Sequence, residues 1–215
     1  MSDLVAATTA ALNRAFAGEG WLPPEVFTLP GYSGRKYRLF INNLIGALHA
    51  PRYLEVGVWQ GSTLCSAIWG NSVVVATAID NWSEFGGPRD EFFANLARFR
   101  GNADVTVLEQ DFRSVDYAGL GQHNVYLFDG PHDETDQRDG IGLALPALAH
   151  EFVLIVDDWN WARVRGGTRR GIEAAKLTVL AEADIRTTDD GSHPAVSGPG
   201  SDWHNGYFIG VCRKG

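Results

Sequence analysis

Cysteine is almost missing from this chain. Cys65 and Cys212 are the only two in 215 residues, one in a predicted helix and one in a predicted strand, which reads as two buried free thiols in a reducing compartment. Long hydrophobic runs are also missing. No stretch reaches ~18 apolar residues, so nothing is expected to span a membrane. The first residues, Met-Ser-Asp-Leu-Val, carry neither a basic region nor a signal-type apolar core, and the expected location is cytoplasmic. Basic residues are scarce: 18 Lys and Arg against 26 Asp and Glu give a net charge of −8, which argues against a nucleic-acid phosphate backbone as partner. There is no closely spaced histidine pair, no internal repeat and no low-complexity segment. What remains, 45% hydrophobic and 20% charged residues, suits one α/β domain with a small extension.

Apolar residues at helical spacing (Leu4, Val5, Ala7, Ala11, Leu12, Phe16) predict a helix over 4–17. Gly18, Gly20, Pro23, Pro24 and Pro30 make 18–31 an irregular connector. A second helix is predicted over 34–50, with Pro51 as its break. Residues 1–50 hold too few apolar side chains for their own core; they read as a helical extension packed on the main domain, 51–215, and as a surface on which a homo-oligomer could form. From residue 53 strands and helices alternate. Strands are predicted at 53–56, 73–79, 105–108, 124–128, 152–156, 185–188 and 207–212, and helices at 63–69, 90–100, 137–149 and 168–180. Such alternation predicts a mostly parallel sheet with helices on both faces.

The chain is organised around Tyr53 to Ser62, Tyr-Leu-Glu-Val-Gly-Val-Trp-Gln-Gly-Ser. Tyr53, Leu54 and Val56 end a buried strand with Glu55 near its carboxyl end. Gly57 permits a sharp turn and close approach of a ligand. Gly61 and Ser62 open a helix whose first N–H groups are free to meet polar ligand atoms. The dinucleotide fingerprint has glycine where Trp59 and Ser62 stand here, which argues against a nicotinamide dehydrogenase. The stretch resembles motif I of the class I S-adenosylmethionine-dependent methyltransferases, acid-x-Gly-x-x-x-Gly. That resemblance implies a Rossmann-like seven-stranded sheet with the seventh strand inserted antiparallel, and S-adenosylmethionine as cofactor.

Each of the first five predicted strands has an acid at or just past its carboxyl end: Glu55, Asp80, Asp111, Asp129, and Asp157 with Asp158. Asp is common in turns and at helix caps, but so much negative charge at one edge calls for a cation or for hydroxyls to bind. Asp80, 25 residues after Glu55, suits both hydroxyls of a ribose. The resemblance assigns it that role, with Asn81 and Trp82 beside the cofactor; Trp82 reads equally as a core residue. Asp111 and Phe112 match the place where this fold meets adenine, and Asp129 borders the cofactor.

Phe128-Asp129-Gly130-Pro131-His132 follows the fourth strand, and Ile155-Val156-Asp157-Asp158-Trp159 the fifth. Neighbouring strands would bring Asp129 near Asp157 and Asp158, and three converging carboxylates need a cation, for which Mg²⁺ is suited. Here the sequence resembles the metal-dependent macrocin and sugar O-methyltransferases; small-molecule catechol methyltransferases share the acid layout. The resemblance implies Asp129, Asp157 and Asp158 as ligands of Mg²⁺ or another divalent cation and His132 as general base. A surface-loop histidine is the alternative for His132.

Asn160 could bind or orient a metal ligand, and Trp159 and Trp161 could stack on an acceptor or pack. The Arg163–Arg170 cluster reads as a solvated helix start in preference to an anion site. The loop 189–205 reads as a flap; His193 and His204 flank it within reach of a substrate, though nothing in the sequence fixes them there. The expected function is methyl transfer to a hydroxyl of a small-molecule acceptor. The alternatives are a metal-independent or nitrogen-directed methyltransferase and a binding module without turnover; a metal-dependent hydrolase fits poorly without a His-rich second ligand set.

Overall fold

The computed structural model describes residues 2–71 and 73–215. A helical lead-in comes first. Helix α1 (Asp3–Phe16) starts where the Ser2 hydroxyl accepts the Val5 N–H at 3.2 Å and ends with Arg14 in its last turn, a charge order that complements the helix dipole. A single turn, α2 (Pro24–Phe27), and α3 (Arg35–Ala47) follow. Their apolar faces (Ala11, Ala15, Val26, Tyr37, Phe40) share one core with Tyr53, Leu64, Ile155 and Tyr207 of the main domain, so the lead-in has no core of its own. Among the described residues no helix is long and apolar enough to cross a membrane.

The strands are β1 (Arg52–Val56), β2 (Val75–Ile79), β3 (Asp104–Leu108), β4 (His123–Phe128), β5 (Leu148–Val156), β6 (Thr178–Ile185) and β7 (Tyr207–Arg213). They form one sheet in the order β3-β2-β1-β4-β5-β7-β6. The first five are parallel, and β7 enters antiparallel between β5 and β6. This is the Rossmann-like, mostly parallel seven-stranded sheet expected. Helices α4 (Ser62–Ile68), α5 (Arg89–Phe99), α6 (Glu134–Ala144) and α7 (Ala162–Ala174) connect the parallel strands and the edge strand β6. Strand β1 shows the alternation that builds two layers: Tyr53 belongs to the core on the α3 side, and Leu54 and Val56 to the core on the α6 side.

Three expected segments fall elsewhere. The helix expected over 137–149 occupies Glu134–Ala144, because Pro146 cannot continue it; β5 then starts at Leu148. The helix expected over 168–180 is α7, six residues earlier, and Thr178–Ile185 is strand rather than the expected 185–188. Gly166, Gly167 and Gly171 look like helix breakers in sequence. In the fold they let α7 lie against α6: a Cβ on Gly167 would overlap the Glu134 carbonyl, and one on Gly171 would come 3.0 Å from the Arg138 carbonyl oxygen. The arginines Arg163–Arg170 thus lie on a helix. Arg169 forks onto Glu182 of β6 at 2.7 and 2.9 Å, and Arg165 donates to the Trp159 and Asn160 carbonyls at 2.7 and 2.5 Å.

Candidate active site

A cavity of about 560 Å³ opens at the carboxyl ends of the parallel strands, where open α/β sheets bind ligands, and its volume is in the usual range of small-molecule sites. One wall is the turn after β1. Gly57 has φ +85°, and a Cβ there would overlap the Asp129 carbonyl oxygen, so both backbone conformation and space demand glycine. Trp59 and Trp82 also sit at positive φ, +45° and +48°. Asp80 holds both: its carboxylate accepts the Trp59 N–H at 2.9 Å and the Trp82 N–H at 2.7 Å. Trp82 Nε1–H donates to the Trp59 carbonyl at 2.9 Å. Asp80 therefore ties two loops together while lining the cavity beside Asn81 and Trp82. Each carboxylate oxygen keeps a second lone pair for a ligand hydroxyl.

Glu55, Gly61 and Ser62 do not line the cavity. The Glu55 side chain is fully buried and accepts a hydrogen bond from Thr63. Burial pushes its carboxyl up to about 8. Ser62 Oγ meets Ser33 Oγ at 3.1 Å. Gly61, at φ +82°, opens α4 against Phe92. At the far end Asp111 and Phe112 line the cavity. Asp111 accepts from the Arg113 backbone N–H at 2.8 Å and from its guanidinium at 3.1 Å, and Arg113 continues to Asp136 at 2.5 Å. Phe112 is buried edge-on against Phe128, 5.3 Å between ring centres.

The charged centre lies at the ends of β4 and β5. Asp129, His132 and Asp158 bring one ligand atom each within 4.8 Å of one another. His132 Nε2 is 2.6 Å from Asp158 Oδ2, and Asn205 Nδ2–H donates to Asp158 Oδ1 at 2.5 Å. Burial and the neighbouring Asp158 charge raise Asp129 to about 7. Burial works to raise Asp158 too, but the hydrogen bond and charge of His132, with help from Asn205, bring it below the usual carboxylate range. Burial opposes charge on His132, yet the contact with Asp158 raises its pKa overall. A buried carboxyl forced toward neutrality beside an ionised one fits a site that a divalent cation would relieve.

The trio differs from the expected metal set by one member, with His132 standing where Asp157 was expected. Asp157 lines the cavity, but its carboxylate accepts the Asp158 N–H at 2.7 Å and the Tyr207 hydroxyl at 3.2 Å. Burial, with the charges of Asp129 and Asp158, raises it well above the usual range. Asp158 has φ +58°, and the two adjacent carboxylates make different contacts. Asn160 is an orienting group. It is fully buried, donating to Thr187 Oγ1 at 2.8 Å and to Asn205 Oδ1 at 2.9 Å and accepting the Thr187 N–H at 2.9 Å. A chain Asn160–Asn205–Asp158 thus fixes the carboxylate.

Beyond the trio the cavity wall is aromatic. Trp161 meets His132 at 4.8 Å and His193 at 5.0 Å. Tyr32, from the connector, lies 5.3 Å from Trp59 and 5.8 Å from His204. Trp159, by contrast, is fully buried against Phe208. Tyr32 and Asn205 were not legible as site residues in the sequence; both depend on how the connector and the loop before β7 fold back over the sheet edge.

Residues 54–159 match the model of a family described as a methyltransferase domain. Solved structures share the fold at low identity. Cofactor-bound Rv0187 from MTB is 17% identical, with a TM-score of 0.60 covering 100% of this chain and 92% of that one. An O-methyltransferase from Bacillus cereus in complex with SAH is 13% identical, with a TM-score of 0.54 over 97% and 91%. The O-methyltransferase TomG from Streptomyces achromogenes, involved in tomaymycin synthesis and in complex with SAM, is 13% identical, with a TM-score of 0.54 over 100% and 91%. No curated protein matches the chain.

Proposed function

We propose that this chain, a methyltransferase by the domain it carries over residues 54–159, moves the methyl group of S-adenosylmethionine to a hydroxyl oxygen of a small molecule, with a divalent cation at Asp129 and Asp158. The observation that carries this reading is one cavity that joins Asp80, at the end of β2, to a carboxylate–histidine centre, Asp129, His132 and Asp158. When bound, S-adenosylmethionine supplies an electrophilic methyl group. Asp80 would accept the ribose hydroxyls, Gly57 leaves room for the cofactor's close approach, and Phe112 with Asp111 would flank adenine. A divalent cation held by Asp129 and Asp158 would lower the pKa of the acceptor hydroxyl, and Mg²⁺ suits the two carboxylates.

His132 is the general base of this reading. With Nε2–H donated to Asp158, the neutral ring keeps its lone pair on Nδ1. In methyl transfer from the bound cofactor, Nδ1 would take the proton that the acceptor hydroxyl gives up. Asp158 fixes the ring and stabilises the imidazolium, as the third group of a catalytic triad does. Trp161 and Tyr32 help to exclude water and align the acceptor for in-line attack.

The 2.6 Å contact between His132 and Asp158 also favours a second reading, a metal-independent transfer in which this pair alone takes the proton. The test is incubation with methyl-deuterated S-adenosylmethionine and a panel of catechols, phenols, sugars and their amino-substituted counterparts, with and without chelator, read by mass spectrometry. A labelled methyl on oxygen that is lost with chelator and restored by metal supports the first reading. Transfer that survives chelation selects the second, and label on nitrogen alone contradicts both.

A further inference from the structure

His204 lies in the loop before β7. It is 3% exposed and has φ +45°, a conformation that costs energy for a residue with a Cβ. Three hydrogen bonds hold it there. Its N–H donates to Ser201 Oγ at 3.0 Å, its carbonyl accepts from Thr187 Oγ1 at 2.8 Å, and its ring Nδ1 accepts the Gly198 N–H at 3.0 Å. The last bond fixes the ring chemistry. An amide N–H can only donate, so Nδ1 carries the lone pair and the proton of the neutral ring is on Nε2. Burial pushes the ring's pKa down to about 4, so the ring is neutral across the physiological range. Nε2 has no partner among the described residues, while the ring lines the cavity and lies 5.8 Å from Tyr32 and 6.2 Å from His193. A strained, buried side chain thus presents one free donor at the end of the cavity lined by Tyr32 and His193.

We propose that His204 Nε2–H is a fixed donor that binds a second oxygen, hydroxyl or carbonyl, of an uncharged acceptor and so selects which hydroxyl meets His132. The proposal rests on reading this end of the cavity as the acceptor site. The charge of the acceptor follows from the lining: carboxylates from four strand ends face the cavity, and its one arginine among the described residues, Arg113, is already paired with Asp111 and Asp136. The lining therefore offers a phosphate or carboxylate on the acceptor no free arginine or lysine among the described residues.

The test uses the full chain with ¹⁵N-labelled histidine, loaded with S-adenosylhomocysteine. Ring ¹⁵N shifts should report His204 as the Nε2–H tautomer between pH 6 and 8; the Nδ1–H tautomer or an imidazolium overturns the proposal. Catechol and methyl glucoside are then titrated as probes, followed through the ring signals of His132, His193 and His204. At least one probe should shift His204 Nε2. His204→Asn tolerates the left-handed backbone and can accept from Gly198 through Oδ1 but loses the distal donor; it should bind that probe about 3–10-fold more weakly. His204→Gln reaches the Nε2 position with an amide donor and should bind like the wild type, though its thermal stability falls. Equal binding by wild type and His204→Asn overturns the proposal and leaves the methyltransferase reading intact. If neither probe moves any of the three rings, the acceptor-site assignment falls and the proposal with it.

Discussion

Asp158 is the carboxylate on which the site turns. It is buried, held at positive φ, and bonded on one oxygen by Asn205 and on the other by His132. Replacing it with Asn removes the charge that raises the His132 pKa. His132 must be neutral to accept a proton, so activity should fall as pH drops through its pKa, which lies above the ordinary 6.5. In Asp158→Asn that acid limb should move to lower pH, with stimulation by metal lost; an unmoved limb in a kcat/KM pH profile would separate His132 from Asp158. His132→Ala should lower kcat by roughly 10²–10⁴-fold, the usual worth of a positioned base. The loss should be smaller for an acidic phenol than for a sugar alcohol, because the phenol gives up its proton more readily. A mutant with wild-type kcat on a sugar acceptor at neutral pH would return His132 to a loop residue.

At the scale of elements, the helices and connector of the lead-in are held together by a buried arginine. Arg38 of α3 is fully buried and donates to the carbonyls of Val26, Phe27 and Leu29 at 2.9–3.1 Å and to Ser33 Oγ at 2.9 Å. Its positive charge closes the carboxyl end of α2 and shapes the connector that carries Tyr32. Arg38→Met would leave those carbonyls unpaired and should cost about 3 kcal/mol or more, read by urea unfolding; a cost under about 1 kcal/mol would mean that the connector holds itself. This arginine was not visible in the sequence, where a charged residue in an amphipathic helix reads as solvated. The parallel strands were visible because β-branched runs end in acids, as at Val75–Ile79 with Asp80 and Leu148–Val156 with Asp157. Helix α7 was misplaced because its glycines carry tertiary information, the closeness of α6, that no local pattern holds. The acids of the site could be found by position, one per strand end. The division of labour between Asp157 and Asp158 could not, since it depends on contacts with Tyr207, His132 and Asn205 from distant parts of the chain, and the donor on His204 depends on the Gly198 amide that reaches its ring.

For the whole molecule, buried acids set how stability depends on pH. Glu55 is raised from 4.5 to about 8 and Asp129 from 3.8 to about 7. A raised acid binds its proton in the folded chain at pH values where the unfolded chain has released it. The stability it contributes is full below the unfolded value and is lost as pH rises through the folded one. Metal-free protein should therefore lose stability between about pH 4.5 and 8. Glu55→Gln keeps an acceptor for Thr63 and should be the more stable of the two near pH 8, by up to several kcal/mol at about 1.4 kcal/mol per pKa unit. Parallel unfolding curves for the two proteins at pH 5 and pH 8 would contradict the burial of a titrating Glu55. The central claim is that the cavity after β1 and β2 holds S-adenosylmethionine against Asp80, and calorimetric titration of the cofactor into wild type and Asp80→Ala tests it most directly. The account predicts one site per chain, weakened in Asp80→Ala by about 1–3 kcal/mol as ribose hydroxyls lose their acceptor. No binding heat in the wild type, or equal affinity in the two proteins, would contradict it.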